Sequence, residues 1–186
     1  MANADAIMHV GKTLVTLLET GLQGLVPVGN VSLSTPENFK NSPPNPPAVT
    51  LFLYHVGVCG EMRNSPRRAN RRPPLPLELR FLVTPWTQGR DAAVDAYVII
   101  GNILQFLYDR AVLRQGDLDG DIWAPDDTVE LILESVPVEE HYDIWEPTDI
   151  PYRLSLTYLV RVIGIDSAVS TEGTPVAVAD FQRVAA

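Results

Sequence analysis

The sequence lacks several features that would place it in a specialised class. Its 186 residues include one cysteine, Cys59, so no disulfide can form within the chain. No apolar run reaches the roughly 18 residues that a membrane-spanning helix needs. The first 30 residues lack the basic start and apolar core of a secretory signal. These absences predict a protein that folds in the reducing cytosol, without direct membrane insertion.

Basic residues are few and unevenly placed. Lys and Arg together number 14 against 23 Asp and Glu, and the net charge of -9 argues against a nucleic-acid partner. Five arginines nevertheless fall within ten positions: Arg63, Arg67, Arg68, Arg71 and Arg72. Twelve acids and no Lys or Arg lie between Asp117 and Asp149. Because guanidinium groups pair bidentately with carboxylates, these charge blocks predict protein contacts, with a loop that only faces water as the alternative.

The first half of the chain begins with a predicted amphipathic helix. Asp5 is in position to cap it, apolar residues recur at helical spacing from Ile7 to Leu18, and Gly21 and Gly24 end it. The six prolines of residues 26–47 predict an extended surface connection with one short strand at 31–34. Residues 49–56 and 75–84 predict strands, and the arginine-rich loop joins them.

The second half predicts a long helix at residues 90–110, a strand from 129 to 134, a short helix at 137–145 and a long strand at 152–162. The long helix is expected to bury one stripe, formed by Ala93, Tyr97, Ile100, Leu104 and Leu107. Between it and the next strand, residues 116–127 predict a solvated acidic loop.

This order of elements predicts an α+β fold in a single domain. A mixed, mainly antiparallel sheet would be packed by the N-terminal helix, the long middle helix and the short helix. The predicted domain covers residues 1–166, and residues 167–186 are expected to form a C-terminal extended arm.

No motif in the chain predicts catalysis, a cofactor or a metal. Residues 6–13 match a relaxed phosphate-loop pattern, but they continue a helical stripe and do not follow a buried strand. Asp117, Asp119 and Asp121 begin like a calcium loop, yet Ile122 and Thr128 replace its required Gly and Glu. The three histidines fall in three different elements, and Cys59 is interpreted as a small apolar residue.

Several blocks taken together resemble the cap, or tail-terminator, proteins of extracellular contractile injection systems, which are phage-tail-like particles. The blocks are LFLYHV at 51–56, MRN at 62–64, RPPLPLELRFLVTP at 72–85, ILQFLYDRAVL at 103–113 and PYRLSLTYLVRV at 151–162. No single block is a catalytic signature, and the specific signal is their ordered combination over roughly residues 5–165.

The resemblance implies a structural protein without enzymatic activity. Six copies would form a homo-hexameric ring on the distal end of the inner tube and the last sheath layer, stopping tail growth and holding the sheath. The partners implied are the protein itself, the inner tube protein and the sheath protein. The particle would assemble in the cytoplasm before any release from the cell.

Two surfaces are hypotheses for these contacts. The five clustered arginines would face the tube end or the adjacent subunit. In the arm, residues 174–184 would add as an edge strand to a sheath or neighbouring subunit through Val176, Val178 and Phe181. Two alternatives stay open: a tail-terminator or joining protein of a true contractile phage, and a small-molecule enzyme or binder built on the same sheet.

Overall fold

The computed structural model describes residues 3–60 and 74–168, and it confirms a mixed α+β architecture. The helices are α1 (Ala6–Gly21), α2 (Pro36–Asn41), α3 (Ala92–Tyr108) and α4 (Val138–Trp145). The strands are β1 (Val31–Leu33), β2 (Ala48–Val58), β3 (Leu75–Trp86), β4 (Val112–Arg114), β5 (Thr128–Glu134) and β6 (Leu156–Ile165). Short 3-10 turns follow β4 and α4, at Gln115–Asp117 and Glu146–Thr148.

The strands form one six-stranded sheet in the order β1-β2-β3-β6-β5-β4. β1 runs parallel to β2, and every other neighbouring pair is antiparallel. The sheet is therefore mixed and mainly antiparallel, as predicted. β3 lies between its two longest partners, β2 and β6, and the β2–β3 register shifts between Leu53 and His55.

The main core lies between one face of the sheet and helices α1 and α3. Its members from α1 and α3 include Val10, Leu14, Leu18, Ile99, Ile103 and Leu107, and those from the sheet include Val49, Leu51, Leu79, Phe81, Val83, Tyr158 and Val160. The two helices approach closely at Gly21, where an added Cβ would lie 2.5 Å from the ring of Phe106. Glycine at the end of α1 therefore also permits this contact.

A second, aromatic cluster occupies part of the opposite face of the sheet. It consists of Phe39, Ala48, Leu82, Trp86 and Trp145. The Phe39 ring stacks on that of Trp145 at 5.5 Å between centroids and lies 5.4 Å from Trp86. The Arg153 guanidinium lies over the Trp86 ring, 4.2 Å from its centroid. Helices α2 and α4 thus close this face.

Helix α2 contradicts the prediction that residues 26–47 form an extended connection whose prolines exclude a helix. Pro36 is instead the first helical residue, where the missing N–H has no helical partner to lose. Thr35 caps the helix by accepting a hydrogen bond from the Asn38 amide, at 3.4 Å. The prediction of one short strand in this connection is correct, as β1. Asp5 precedes α1 as expected, but its side chain makes no capping hydrogen bond.

The predicted buried stripe of α3 is partly wrong. Ala93 and Tyr97 are exposed, whereas Ile99, Ile103 and Leu107 form the buried face. The helix carries a single charged residue, Asp95, among 17 positions, so apolar residues lie on nearly every side. Periodicity alone therefore placed the buried face about one residue too far round the helix.

The acidic loop is anchored rather than merely solvated. Leu118 and Trp123 are buried in or near the main core, and the Trp123 indole donates to the carbonyl of Asp119 at 2.7 Å. The Asp119 amide donates to the Thr13 hydroxyl of α1 at 2.8 Å. β4, just before the loop, was missed because it has only three residues. The last strand begins at Leu156, later than the predicted residue 152.

Candidate assembly surfaces

The five clustered arginines lie outside the described residues, but the strands on both sides of their segment are described. β2 ends at Val58 and β3 begins at Leu75. The Cys59 amide donates to the Pro76 carbonyl at 2.9 Å, so the two strands stay paired up to this end. The arginine segment therefore connects two adjacent strands at one end of the sheet.

Val176, Val178 and Phe181 also lie outside the described residues. The strand that leads to them is β6, whose last residue, Ile165, pairs with Leu75. The chain beyond β6 thus leaves from the same end of the sheet as the arginine segment. Both predicted contact regions begin at this one end of the molecule.

Helix α3 presents an apolar surface that the sequence prediction missed. Val94, Val98, Tyr97 and Tyr108 are exposed, the two tyrosines by 62% and 82%. A Cβ added at Gly101, in the middle of this helix, would meet no atom within 4 Å. Exposed apolar patches of this kind are typical of protein contact surfaces. The signal in the sequence was the near absence of charge along α3.

The sheet face beside the aromatic cluster carries ion pairs. Arg80 donates to Glu134 through Nε at 2.7 Å and Nη2 at 2.9 Å, which is bidentate geometry. Hydrogen bonding to Glu134 raises the pKa of the Arg80 guanidinium. On the same face, Arg161 Nε lies 4.0 Å from Glu78 Oε1 and 3.9 Å from Glu130 Oε2. Arg161 on β6 therefore lies near acids of both neighbouring strands, and the Arg80–Glu134 pair reaches from β3 over β6 to β5.

A shallow cleft of about 360 Å³ lies at the end of this ion-pair face. The Tyr54 hydroxyl donates to Glu140 at 3.4 Å, and burial raises the pKa of Tyr54. Arg80 and Glu134 line the cleft but already satisfy each other. A second cleft, of about 300 Å³, has Asp95 as its one titratable lining residue. Neither arrangement supplies an activated nucleophile with an adjacent base.

The candidate catalytic and metal-binding residues considered in the sequence lie in separate parts of the fold. The phosphate-loop-like segment is part of α1, as the sequence predicted. His9 Nδ1 lies 2.7 Å from Asp119 Oδ2, and His141 Nε2 lies 3.0 Å from the Thr157 hydroxyl. Cys59 is buried, in agreement with its interpretation as an apolar residue. Across residues 3–60 and 74–168, no three His, Cys, Asp or Glu side chains form a group that could bind a metal ion.

Within the described parts of the chain, none of the helices combines the length and the apolar character required to cross a bilayer.

The family comparison decides the classification. The model of the Pvc16 N-terminal domain family matches residues 9–178. The chain belongs to this family. Comparison of this Pvc16 N-terminal domain protein with curated protein sequences gives no match.

The solved structures that share its fold include two tube terminators. One is the cryo-EM structure of the PVC sheath/tube terminator, in the extended state, of an extracellular contractile injection system; it has a TM-score of 0.65 and 20% identity, over 99% of this chain and 65% of that one. The other is the anti-feeding prophage cap, a tube-terminating cap, with a TM-score of 0.61 and 18% identity, over 94% of this chain and 60% of that one. The resemblance read from the sequence is thereby confirmed. The chain spans less than two thirds of the length of either protein.

Proposed function

We propose that this protein is the structural cap, or tail terminator, of a contractile injection system. Six copies form a ring on the distal end of the inner tube and the last sheath layer, where the ring ends tail growth and anchors the sheath. The observation that carries this proposal is the fold, which two terminator proteins share over 99% and 94% of this chain. Membership of the Pvc16 N-terminal domain family supports it.

The surface chemistry agrees with a role in assembly. The exposed apolar side chains of α3 are of the kind that a protein buries against another protein. Of the two clefts described above, one has its Arg80 and Glu134 paired with each other, and the other has Asp95 as its one titratable lining residue. A structural, non-enzymatic protein with no cofactor is therefore the better interpretation. The particle would assemble in the cytoplasm and act after release from the cell.

The native mass tests this proposal first. Because six copies of the 20.5 kDa chain weigh 123 kDa, light scattering is expected to give a mass near 123 kDa. Negative-stain images of the same sample should show rings, either of the chain alone or after purified tube and sheath are added. A chain that stays monomeric with and without tube and sheath would contradict the proposal.

The arginine segment supplies a contact with the tube end or the adjacent subunit. Replacing Arg67, Arg68, Arg71 and Arg72 by Ser is expected to abolish ring formation or tube binding at physiological salt, because bidentate pairs with carboxylates are lost. Arg90→Ser with Arg114→Ser is the matched control, since both arginines are exposed elsewhere on the surface. If the fourfold variant keeps both properties, these four arginines only face water.

The C-terminal arm, residues 167–186, supplies a second contact. In the proposal, residues 174–184, which include Val176, Val178 and Phe181, add as an edge strand to a sheath or neighbouring subunit through backbone hydrogen bonds. Truncation after Asp166 is then expected to abolish sheath binding in a pull-down with purified sheath. Unchanged binding would show that the arm makes no such contact.

A further inference from the structure

Strand β2 has an outer edge that the described residues leave unpaired. β1 pairs with β2 only from Val49 to Leu51, although β2 continues to Val58. Beyond the register shift at Leu53 and His55, β2 pairs with β3 alone. About six residues of edge, the length of an ordinary strand, are therefore available on the side away from β3.

The hydrogen-bond pattern shows which groups face outwards. The Cys59 amide donates to the Pro76 carbonyl, so Cys59 and Pro76 form a hydrogen-bonded pair of the antiparallel ladder. Such pairs alternate with pairs whose N–H and C=O groups point away from the partner strand. Val58 and Val56 therefore direct these groups away from β3. Within residues 3–60 and 74–168, no backbone group pairs with them.

Apart from the register shift between Leu53 and His55, this edge carries none of the usual protection against strand pairing. Proteins blunt free edges with Lys, Pro or inward-pointing charges. Residues 53–58 read Leu-Tyr-His-Val-Gly-Val and contain neither Lys, Arg nor Pro. The side chains of Val56 and Val58 are each 49% exposed. By contrast, the opposite edge strand, β4, has three residues and ends in Arg114.

The C-terminal sequence is suited to pairing with this edge. Residues 169–173 link Ala168 to the segment 174–184, and the six extended steps from Ala168 to Thr174 span about 20 Å. They start from β6, at the same end of the sheet as Val58. Within one copy, three strand spacings, about 14 Å, separate β6 from a position outside β2, so a linker of this length reaches the β2 edge of its own copy or that of a neighbouring copy at a similar distance. Residues 176–179 read Val-Ala-Val-Ala, a small and apolar sequence suited to pairing beside Val56 and Val58.

We propose that the outer edge of β2 accepts residues 174–184 of a neighbouring copy of this chain as an added strand. This inference rests on the proposed function, because a ring of identical copies supplies its setting. A head-to-tail ring needs two different surfaces on each copy that fit one another. One acceptor edge and one donor segment on each copy form such a pair. Exchange around the ring therefore occupies the β2 edge and uses the donor segment of every copy.

A proline placed in the edge tests the acceptor. Val58→Pro removes an N–H that faces away from β3 and leaves the β2–β3 ladder bonds intact. The matched control is Val112→Pro on β4. Val112 is similarly exposed, at 52%, and the hydrogen bond from the Leu131 amide to Ala111 directs the Val112 N–H away from β5. Under the conditions where wild type forms the ring, Val58→Pro is expected to shift the mass from 123 to 20.5 kDa. Val112→Pro keeps the ring, and far-ultraviolet circular dichroism confirms that both variants are folded.

Cross-linking between two different variants tests the donor. In a Cys59→Ser background, one preparation carries Val58→Cys and the other carries Val176→Cys, Val178→Cys or Phe181→Cys. Mixing them allows only disulfides between chains, and at least one donor position is expected to give a 41 kDa product, the mass of two chains, on a non-reducing gel. Val112→Cys replaces Val58→Cys in the control and gives none.

The outcomes separate this inference from the function on which it rests. If wild type forms the ring and the Val58→Pro variant forms it too, strand exchange is overturned and the cap proposal stands. The same holds if the mixed cysteine variants give no cross-linked product. A disulfide that forms only when both cysteines are in the same chain overturns it in favour of pairing within one copy. If truncation after Asp166 abolishes sheath binding and leaves the ring intact, the arm binds the sheath instead of a neighbouring copy. Absence of any ring in wild type removes both proposals.

Discussion

The two faces of the sheet are covered in different ways. The main core, under α1 and α3, is mostly aliphatic and comes from long regular elements. The aromatic cluster, under α2 and α4, joins a few rings from segments far apart in the sequence. One face is therefore stabilised by many similar contacts along continuous helices, and the other by a few large side chains. The covering of one face is therefore visible in the sequence as a periodic signal, and that of the other face is not.

The largest effect is expected from a cavity in the main core. Ile103 on α3 is fully buried, so Ile103→Ala should lower the free energy of unfolding by about 2–5 kcal/mol. Val98→Ala on the same helix is the control, because Val98 is exposed and should change it by about 0.5 kcal/mol at most. Urea unfolding measures both. Equal effects would mean that α3 is not held by this face.

The aromatic cluster allows a sharper comparison between two tryptophans. The Trp86 indole N–H donates to the buried Thr50 hydroxyl at 2.8 Å, whereas the buried Trp145 indole N–H has no partner among the described residues. Trp86→Phe removes a hydrogen bond and leaves Thr50 without its donor, while Trp145→Phe removes an unsatisfied group. Trp86→Phe should therefore cost about 1–3 kcal/mol more in urea unfolding. The reverse order would show that ring packing, rather than hydrogen bonding, dominates this cluster.

The ion pairs beside the aromatic cluster are expected to contribute less. Glu134→Gln weakens the bidentate pair with Arg80, and because both side chains are about one quarter exposed, the loss should be about 1 kcal/mol or less. Lys40→Met removes the exposed pair with Asp149 and should leave the urea midpoint unchanged. A loss in both variants that vanishes at high salt would indicate a general charge effect instead.

The smallest effect concerns pH at the edge of the aromatic cluster. Burial lowers the pKa of His141, which favours the neutral ring in the folded state. The unfolded chain therefore binds this proton more readily, and stability is lost as the pH falls below the ordinary value of 6.5. The melting temperature of wild type should fall slightly more than that of His141→Gln between pH 7.5 and 5.5. Parallel curves would assign the loss to other groups.

Most of the main core could be predicted because its residues repeat at regular intervals. The apolar spacing of α1 and the alternation in β3 each identify a buried face from a short stretch of chain. The spacing failed on α3, where apolar residues surround the helix. There the buried face depends on which neighbours exist, and Tyr97 was assigned to the wrong side.

The aromatic cluster could not be predicted in the same way. Phe39 lies in a proline-rich segment, Trp86 at the end of a strand and Trp145 at the end of a helix. Their contacts are tertiary, so no local period shows them. The assembly surfaces divide similarly: the charge blocks are visible in the sequence and stay predictions, whereas the free edge of β2 is apparent only once the pairing of β1 is known.

The central position of β3 also bears on how the molecule carries a load. Leu79 and Phe81 contact the main core from one side of this strand, and Leu82 and Trp86 contact the aromatic cluster from the other. β3 is in addition hydrogen-bonded to β2 on one edge and to β6 on the other, and both strands run antiparallel to it. A pull along β6 is therefore shared by all the β3–β6 bonds in shear, instead of opening them one after another. In the proposed role as a cap, this arrangement would transmit tension through the sheet when a contracting particle pulls on it.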